Sequence, residues 1–345
     1  MSFLITTGFD HDVYANRFNL IGGIAGTGRF GRGRYARFSN GGHYCSLPLV
    51  AGEEYPSFVI GFACIESSGP YTNLAHASSF IRLFGDAGQS HVDIYWTTVT
   101  GQFVIRARNG NGTVIQDSAP INLVHGVWRY YEFKVTVDDT AGVIEVKRDG
   151  TSVINASLAD TRNGGATANV HRIQFGQNAE NSTGALDDVY VLKNDGVGLT
   201  DYLGEVEVES LIPSGNGTYS QYVGSDGNST DNYLLVDDNT SVNDGDYTES
   251  DIDGEKDSYI FTDLARSSPV IRAVQYSMRV RRDDTALRSI RSFIRSGVME
   301  YTGADFPLPT SFVWEQEVHE TNPTTGSAWS VSEVNGLEGG TEVRP

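Results

Sequence analysis

Apolar and polar residues alternate along most of this chain, and no run of helical periodicity separates the alternating stretches. The alternation is cleanest in Tyr131-Glu-Phe-Lys-Val-Thr-Val137 and in Val143-Ile-Glu-Val-Lys147. A period of two sends successive side chains to opposite faces, so each run reads as a strand with one buried face. The pattern predicts strands over 35–39, 43–48, 57–65, 79–84, 91–97, 102–108, 113–117, 129–137, 142–148, 152–156, 170–175 and 186–192. Turn chemistry separates them at Asp86-Ala-Gly88, Asn109-Gly-Asn-Gly112, Asp138-Asp139 and Asp149-Gly150. Many strands at short spacing, without helices between them, predict an antiparallel sandwich.

The pattern resumes at 258–262, 269–282, 288–296, 298–302 and 311–319 and predicts a second, smaller sandwich. Arg288, Arg291 and Arg295 also fit helical spacing; we read that segment as a strand. Residues 237–257 are acidic, polar and dotted with glycine, and read as a long loop. The chain closes differently. Asn322-Pro323 and Gly326 mark a turn, and Ser330-Val-Ser-Glu333 fits a capping box. The expected helix runs to Leu337 or Glu338 and is stopped by Gly339-Gly340.

Several phrases taken in order carry a resemblance. They are Gly33-Arg-Tyr-Ala-Arg-Phe38, Tyr44-Cys-Ser-Leu-Pro48, Gly126-Val-Trp-Arg-Tyr-Tyr-Glu-Phe-Lys-Val135, Ile144-Glu-Val-Lys-Arg-Asp-Gly150 and Gly184-Ala-Leu-Asp-Asp-Val-Tyr-Val191. Together they resemble the concanavalin A-like lectin/laminin-G-like jelly roll. Two further stretches, Gly204-Glu-Val-Glu-Val-Glu-Ser-Leu-Ile-Pro213 and Glu317 to Arg344, resemble virion proteins of tailed bacteriophages. The implied organisation is all-β: a concanavalin A-like jelly-roll sandwich over 1–195, a linker over 196–203, and a smaller β-sandwich with a short C-terminal helix over 204–345. The resemblance implies a non-enzymatic structural component of a tailed-phage particle, placed in decoration, neck, collar or tail. Its partners would be other virion proteins, and it would be a homo-oligomer in the particle. The alternative is a carbohydrate-binding adsorption protein that recognises host-surface glycans.

Charge narrows the partners. A formal net charge of -19 argues against a general nucleic-acid binder, which needs a positive surface to displace counterions. No apolar run reaches the roughly 20 residues of a membrane helix. The opening Met1-Ser-Phe-Leu-Ile-Thr-Thr-Gly-Phe-Asp10 lacks a basic region followed by an apolar core. No signal peptide is therefore expected, and the resemblance implies synthesis in the host cytoplasm and a place in the virion. Alternation puts Cys64 on the face of Phe58, Ile60 and Phe62, so it reads as a buried thiol; a Cys45–Cys64 disulfide is the alternative.

Candidate chemistry is sparse. Gly26-Thr-Gly28-Arg-Phe-Gly31 satisfies G-x-G-x-x-G, but a strand rather than a helix follows it, so it reads as a loop. Arg29, Arg32, Arg34 and Arg37 form a small basic face, either solvated or paired with a neighbouring subunit. Glu205, Glu207 and Glu209 alternate on a polar strand face. A glycosidase pair is the competing reading, but it would belong inside the jelly roll. The acids of 237–257 and Asp187-Asp188 invite calcium, yet an EF-hand register fails at Ile260. No H-x-x-x-H, nucleophile elbow or P-loop occurs, and no catalytic residue, metal ligand or cofactor is expected. Tyr71, Tyr95, Trp96, Tyr130 and Tyr131 are the candidate glycan or partner contacts. Tyr95 and Trp96 are adjacent and so face opposite ways.

Overall fold

Both faces of the strand Ser57–Ile65 are buried, because it lies in the middle of an eight-stranded sheet with cover on each side. The computed structural model describes residues 3–9, 17–21, 23–25, 27–31, 33–38, 43–50, 52–66, 78–86, 88–100, 102–124, 126–163, 166–176, 184–238 and 241–345. The chain divides after Val208. Met1–Asp10 and Arg17–Val208 belong to one unit, and Glu209–Pro345 belong to the other.

The strands of the first unit begin with β1 (Phe3–Thr7), β2 (Asn19–Ile21), β3 (Gly23–Ala25), β4 (Tyr35–Phe38), β5 (Tyr44–Pro48), β6 (Ser57–Ile65) and β7 (Ser78–Phe84). They continue with β8 (Ser90–Val99), β9 (Gln102–Asn109), β10 (Val114–Asp117), β11 (Trp128–Thr136), β12 (Gly142–Arg148), β13 (Thr151–Ala159), β14 (Arg172–Phe175) and β15 (Gly184–Lys193). One sheet runs β13-β12-β11-β6-β15-β4-β3, with β1 also on β15, and the other runs β10-β9-β8-β7-β14-β5-β2. Every pairing is antiparallel, so the first unit is the expected jelly-roll sandwich. The twelve strands predicted from alternation are all present, each within a few residues of its expected bounds.

The second unit holds β16 (Pro213–Ser220), β17 (Val223–Gly224), β18 (Thr248–Glu249), β19 (Lys256–Phe261), β20 (Val274–Val280), β21 (Ser289–Ser296), β22 (Met299–Pro307), β23 (Val313–His319) and β24 (Leu337–Arg344). A helix, α1 (Val331–Asn335), precedes the last strand. The order β16-β19-β24-β21-β22 makes a five-stranded sheet, and β20 pairs with β23 as a separate ribbon. Ile294, Trp329, Val334 and Leu337 form the core, with Val274 and Tyr276 of the ribbon packed against it. The arginine-bearing segment 289–296 is a strand, as read from the sequence.

The close of the chain departs from expectation after its cap. The capping box forms as read: the Glu333 amide donates to Ser330 Oγ at 3.3 Å, and the Ser330 amide donates to Glu333 Oε2 at 2.8 Å. The helix ends at Asn335, however, and Gly339-Gly340 lie inside β24, between β19 and β21 at the centre of the sheet. Here the glycines provide room. A β-carbon at Gly339 would come 2.5 Å from the Tyr276 ring, and one at Gly340 would strike the Asp257 carbonyl and come 2.5 Å from the Phe293 ring. The acidic loop is tied down by an ion pair: Arg279 donates to both oxygens of Asp244, at 2.7 and 2.8 Å, and holds that carboxyl below its usual range. No helix among the described residues is long and apolar enough to cross a membrane.

Candidate functional site

The core of the first unit sorts its side chains by face. Phe62 and Phe133 stack at 5.3 Å on the eight-stranded sheet. From the seven-stranded sheet, Phe175 meets Phe62 edge-on at 5.6 Å and Trp96 meets Tyr131 edge-on at 6.2 Å. Alternation then sends Tyr130 and Glu132 to the outer face of the first sheet, and Tyr95 and Gln174 to the outer face of the second.

The outer face of the eight-stranded sheet is occupied by the chain itself. Tyr190 lies over β6 at Gly61, where a β-carbon would collide with its ring. Its hydroxyl donates to Glu132 Oε1 at 2.7 Å, and the Gly204 amide donates to the same oxygen at 2.8 Å. The Tyr202 hydroxyl donates to Glu145 at 3.1 Å, and the Val208 amide donates to Asp188 Oδ1 at 2.8 Å. These side-chain bonds take the place of a ladder. Glu205, Glu207 and Glu209, expected on a strand face, lie outside any sheet. Residues 204–208, read from the sequence as the opening of the second domain, are held on the first unit.

Arg29 anchors this segment. The G-x-G-x-x-G loop ends in a 3-10 turn, Arg29–Gly31, with Phe30 at φ 62°, and the strand β4 follows it as expected. The Arg29 guanidinium donates to Asp188 Oδ2 and to the Val206 carbonyl, each at 3.1 Å, and also pairs with Glu205. Its carbon lies 5.1 Å from the centre of the Tyr130 ring. The arginine read as part of a basic surface is thus buried and fully engaged within its own unit, because the bulge at Asp187-Asp188 turns two carboxylates towards it. Burial pushes the Asp188 carboxyl up to about 6, against the pull of the Val208 amide and Arg29.

The outer face of the seven-stranded sheet is different. Register aligns Ser46 with Gln174, Gln174 with Arg82, Arg82 with Asp93 and Asp93 with Arg108. A polar row therefore crosses β5, β14, β7, β8 and β9 in a single line. Asp93 Oδ2 accepts from Arg82 at 3.2 Å and from Arg108 at 2.7 and 3.2 Å. On one side of the row Tyr95 pairs with Arg106, whose guanidinium grips both oxygens of Asp117 at 2.6 and 2.7 Å. On the other side Arg172 pairs with Phe84. Arg108 covers the Tyr95 ring at 4.6 Å, and Arg172 covers the Phe84 ring at 3.9 Å. The Arg82, Arg106 and Arg108 side chains remain 25%, 24% and 32% exposed, whereas Asp93 beneath them is 3% exposed. This face presents guanidinium groups outward, seated on rings and on a buried carboxylate.

The five aromatic residues singled out by sequence are dispersed. Tyr71 lies outside the described residues. Trp96 and Tyr131 are in the core, where the Tyr131 hydroxyl donates to buried Glu66 at 2.8 Å. Tyr130 lies beneath Arg29 and donates to the Asp188 carbonyl at 3.1 Å. Tyr95 alone of the four is on the polar row's face, under Arg108. Sequence reasoning passed over Ser46, Arg82, Asp93, Arg106, Arg108, Arg172 and Gln174. The available signal was weak: each is simply the polar partner of apolar neighbours in an alternating strand, as in Ile81-Arg82-Leu83. Both cysteines are free and buried, and burial pushes each thiol upward. The cysteines are on different sheets, Cys45 on β5 and Cys64 on β6.

No known family matches the chain, and no curated protein matches it. Solved structures resemble it in part. A conserved carbohydrate esterase from Shiga toxin-encoding bacteriophage phi24B is 13% identical, covering 55% of this chain and 98% of its own, with a TM-score of 0.37. The carbohydrate recognition domain of Emp47p is 11% identical over 51% of this chain and 88% of its own, with a TM-score of 0.36. Alginate lyase Aly36B is 10% identical over 46% of this chain and 80% of its own, with a TM-score of 0.34. Likeness of this degree assigns no activity.

Proposed function

We propose that the first unit is a non-enzymatic glycan-binding module whose ligand lies along the outer face of the seven-stranded sheet. The observation that carries this reading is the in-register row Ser46, Gln174, Arg82, Asp93, Arg108. Its partly exposed members, Arg82 and Arg108, offer guanidinium donors two strands apart, while Ser46, Gln174 and Asp93 are buried, and neighbouring strands are about 4.8 Å apart. Such a line suits an extended polymer rich in hydroxyl groups. The opposite outer face is closed to a ligand by residues 202–208. Asp93, the row's carboxylate, is held between two arginines, which favours binding over acid-base chemistry. Affinity electrophoresis of the full chain in gels containing host-surface polysaccharide tests this. We expect retardation, and the Arg108→Gln variant should weaken it by roughly tenfold, the equivalent of one charge-assisted hydrogen bond. Mobility unchanged by any glycan would refute the reading.

The phage resemblance supports a second, compatible reading: the module is carried on a tailed-phage particle. Residues of that phrase interlock in the second unit. The Asn322 amide donates to Glu333 at 3.0 Å, the Trp329 indole donates to the His319 carbonyl at 2.9 Å, and Asn335 accepts from the Leu264 amide at 3.0 Å. These bonds tie the turn and the helix to the end of β23 and to Leu264. Mass spectrometry of gradient-purified particles should find the chain at a fixed ratio to the major capsid protein. Its absence from intact particles would remove this reading and leave the module untouched.

A further inference from the structure

We infer that the glycan is polyanionic, its acidic groups meeting the guanidinium groups of this face. The inference rests on the glycan reading above and adds the chemical class of the ligand. Neutral sugars are commonly held on open aromatic faces, but here the Tyr95 and Phe84 rings already lie beneath Arg108 and Arg172. What faces outward is charge. Among the described residues, Arg82, Arg106, Arg108 and Arg172 stand against Asp93 and Asp117, four positive groups against two negative ones, on a chain whose net charge is -19. Arg172 has no acidic partner among the described residues, and its Nε is buried without a hydrogen-bond partner there.

Arginine suits this task. Its planar fork matches carboxylate and sulfate oxygens, and stacking on a ring holds the fork in place before the ligand arrives. Arg82 and Arg108 stand two strands apart, roughly 10 Å, across the row. That is a spacing for repeated charges on an extended chain. Single-stranded nucleic acid would instead ask for open ring faces on which bases can stack. The net charge of the whole protein repels polyanions, but that repulsion is screened beyond a Debye length of about 10 Å at ~0.1 M salt. Attraction must therefore be local to this face.

The test is native affinity electrophoresis of the full chain against polygalacturonate, dextran sulfate, neutral dextran and an oligothymidylate. We expect retardation by one or both acidic glycans; which of them acts tells carboxylate from sulfate. The binding should weaken on the order of tenfold between ~50 and ~200 mM salt if two charges are neutralised. Arg172→Gln and Arg106→Gln should each reduce it while the first unit still unfolds in one cooperative transition. The salt titration uses the unaltered protein, so it stands even if a variant misfolds. Equal retardation by neutral dextran, insensitive to salt, would overturn the charge inference and leave the glycan reading intact. Equal retardation by oligothymidylate would also overturn it, as would acidic-glycan binding unchanged in both variants. Retardation by no glycan at all would overturn both readings together.

Discussion

Trp329→Ala should cost the second unit about 3–5 kcal/mol, a large share of a domain's total stability of roughly 5–15 kcal/mol. Trp329 is buried in the core formed with Ile294, Val334 and Leu337, with Leu211, Leu264 and Ile271 against it. Truncation removes the ring from this cluster and leaves a cavity. It also removes the donor to the His319 carbonyl, 2.9 Å away at the end of β23. Urea unfolding followed by fluorescence separates the outcomes, because Trp96 and Trp128 report on the first unit and Trp314 on the second. The Trp314 transition should move to much lower denaturant while the other stays in place. A shift worth less than about 1 kcal/mol, the scale of a surface change, would mean that Trp329 is not a keystone of this core.

Arg29→Met should cost the first unit about 3–5 kcal/mol near pH 8, the usual penalty for leaving a buried charge without its partner. The charge left behind is Asp188, whose side chain is 4% exposed, and Glu205 and the Val206 carbonyl lose the same guanidinium. The pH dependence follows from the direction of the shift. Asp188 titrates near 6 in the folded chain, against 3.8 for a free aspartate. The folded state therefore takes up its proton first, and this group's contribution to stability improves as pH falls through about 6. Without Arg29 the carboxyl rises further, so the protonated form is reached earlier. The gap between variant and parent should be largest at pH 8 and narrow markedly by pH 5, read from urea midpoints. A gap that is the same at both pH values would show that Asp188 is not the charge being compensated.

Particular elements show how much could be read from sequence. Strands such as β11 and β12 were legible because a two-residue alternation is written in the sequence itself, whereas β6, buried on both faces, was legible as a nearly continuous apolar run. The capping box was legible because Ser330 and Glu333 act on each other across three residues. β16 was not read as a strand, since Pro213-Ser-Gly-Asn-Gly-Thr-Tyr-Ser220 carries turn chemistry throughout. It is a strand because β19 lies beside it, and a β-carbon at Gly217 would come 2.5 Å from Ser258 Oγ. Gly339-Gly340 misled for the same reason: the sequence shows a helix stop, whereas the neighbours on either side require two residues without side chains.

The candidate site shows the same division. Sequence by itself determined that Arg82, Asp93, Arg106 and Arg108 are the polar members of alternating strands, and that Tyr95 and Trp96 face apart. Those are local properties, set by a two-residue period. Only the tertiary structure decided that Ser46, Gln174, Arg82, Asp93 and Arg108 form one line, that Arg108 roofs Tyr95, and that Arg29 is buried against Asp188. Each of these depends on the register between strands far apart in the chain, and a slip of one residue would turn every side chain of a strand to the other face. The charge on a single strand is written in its residues; the pattern of charge across a sheet is written in how the strands pair.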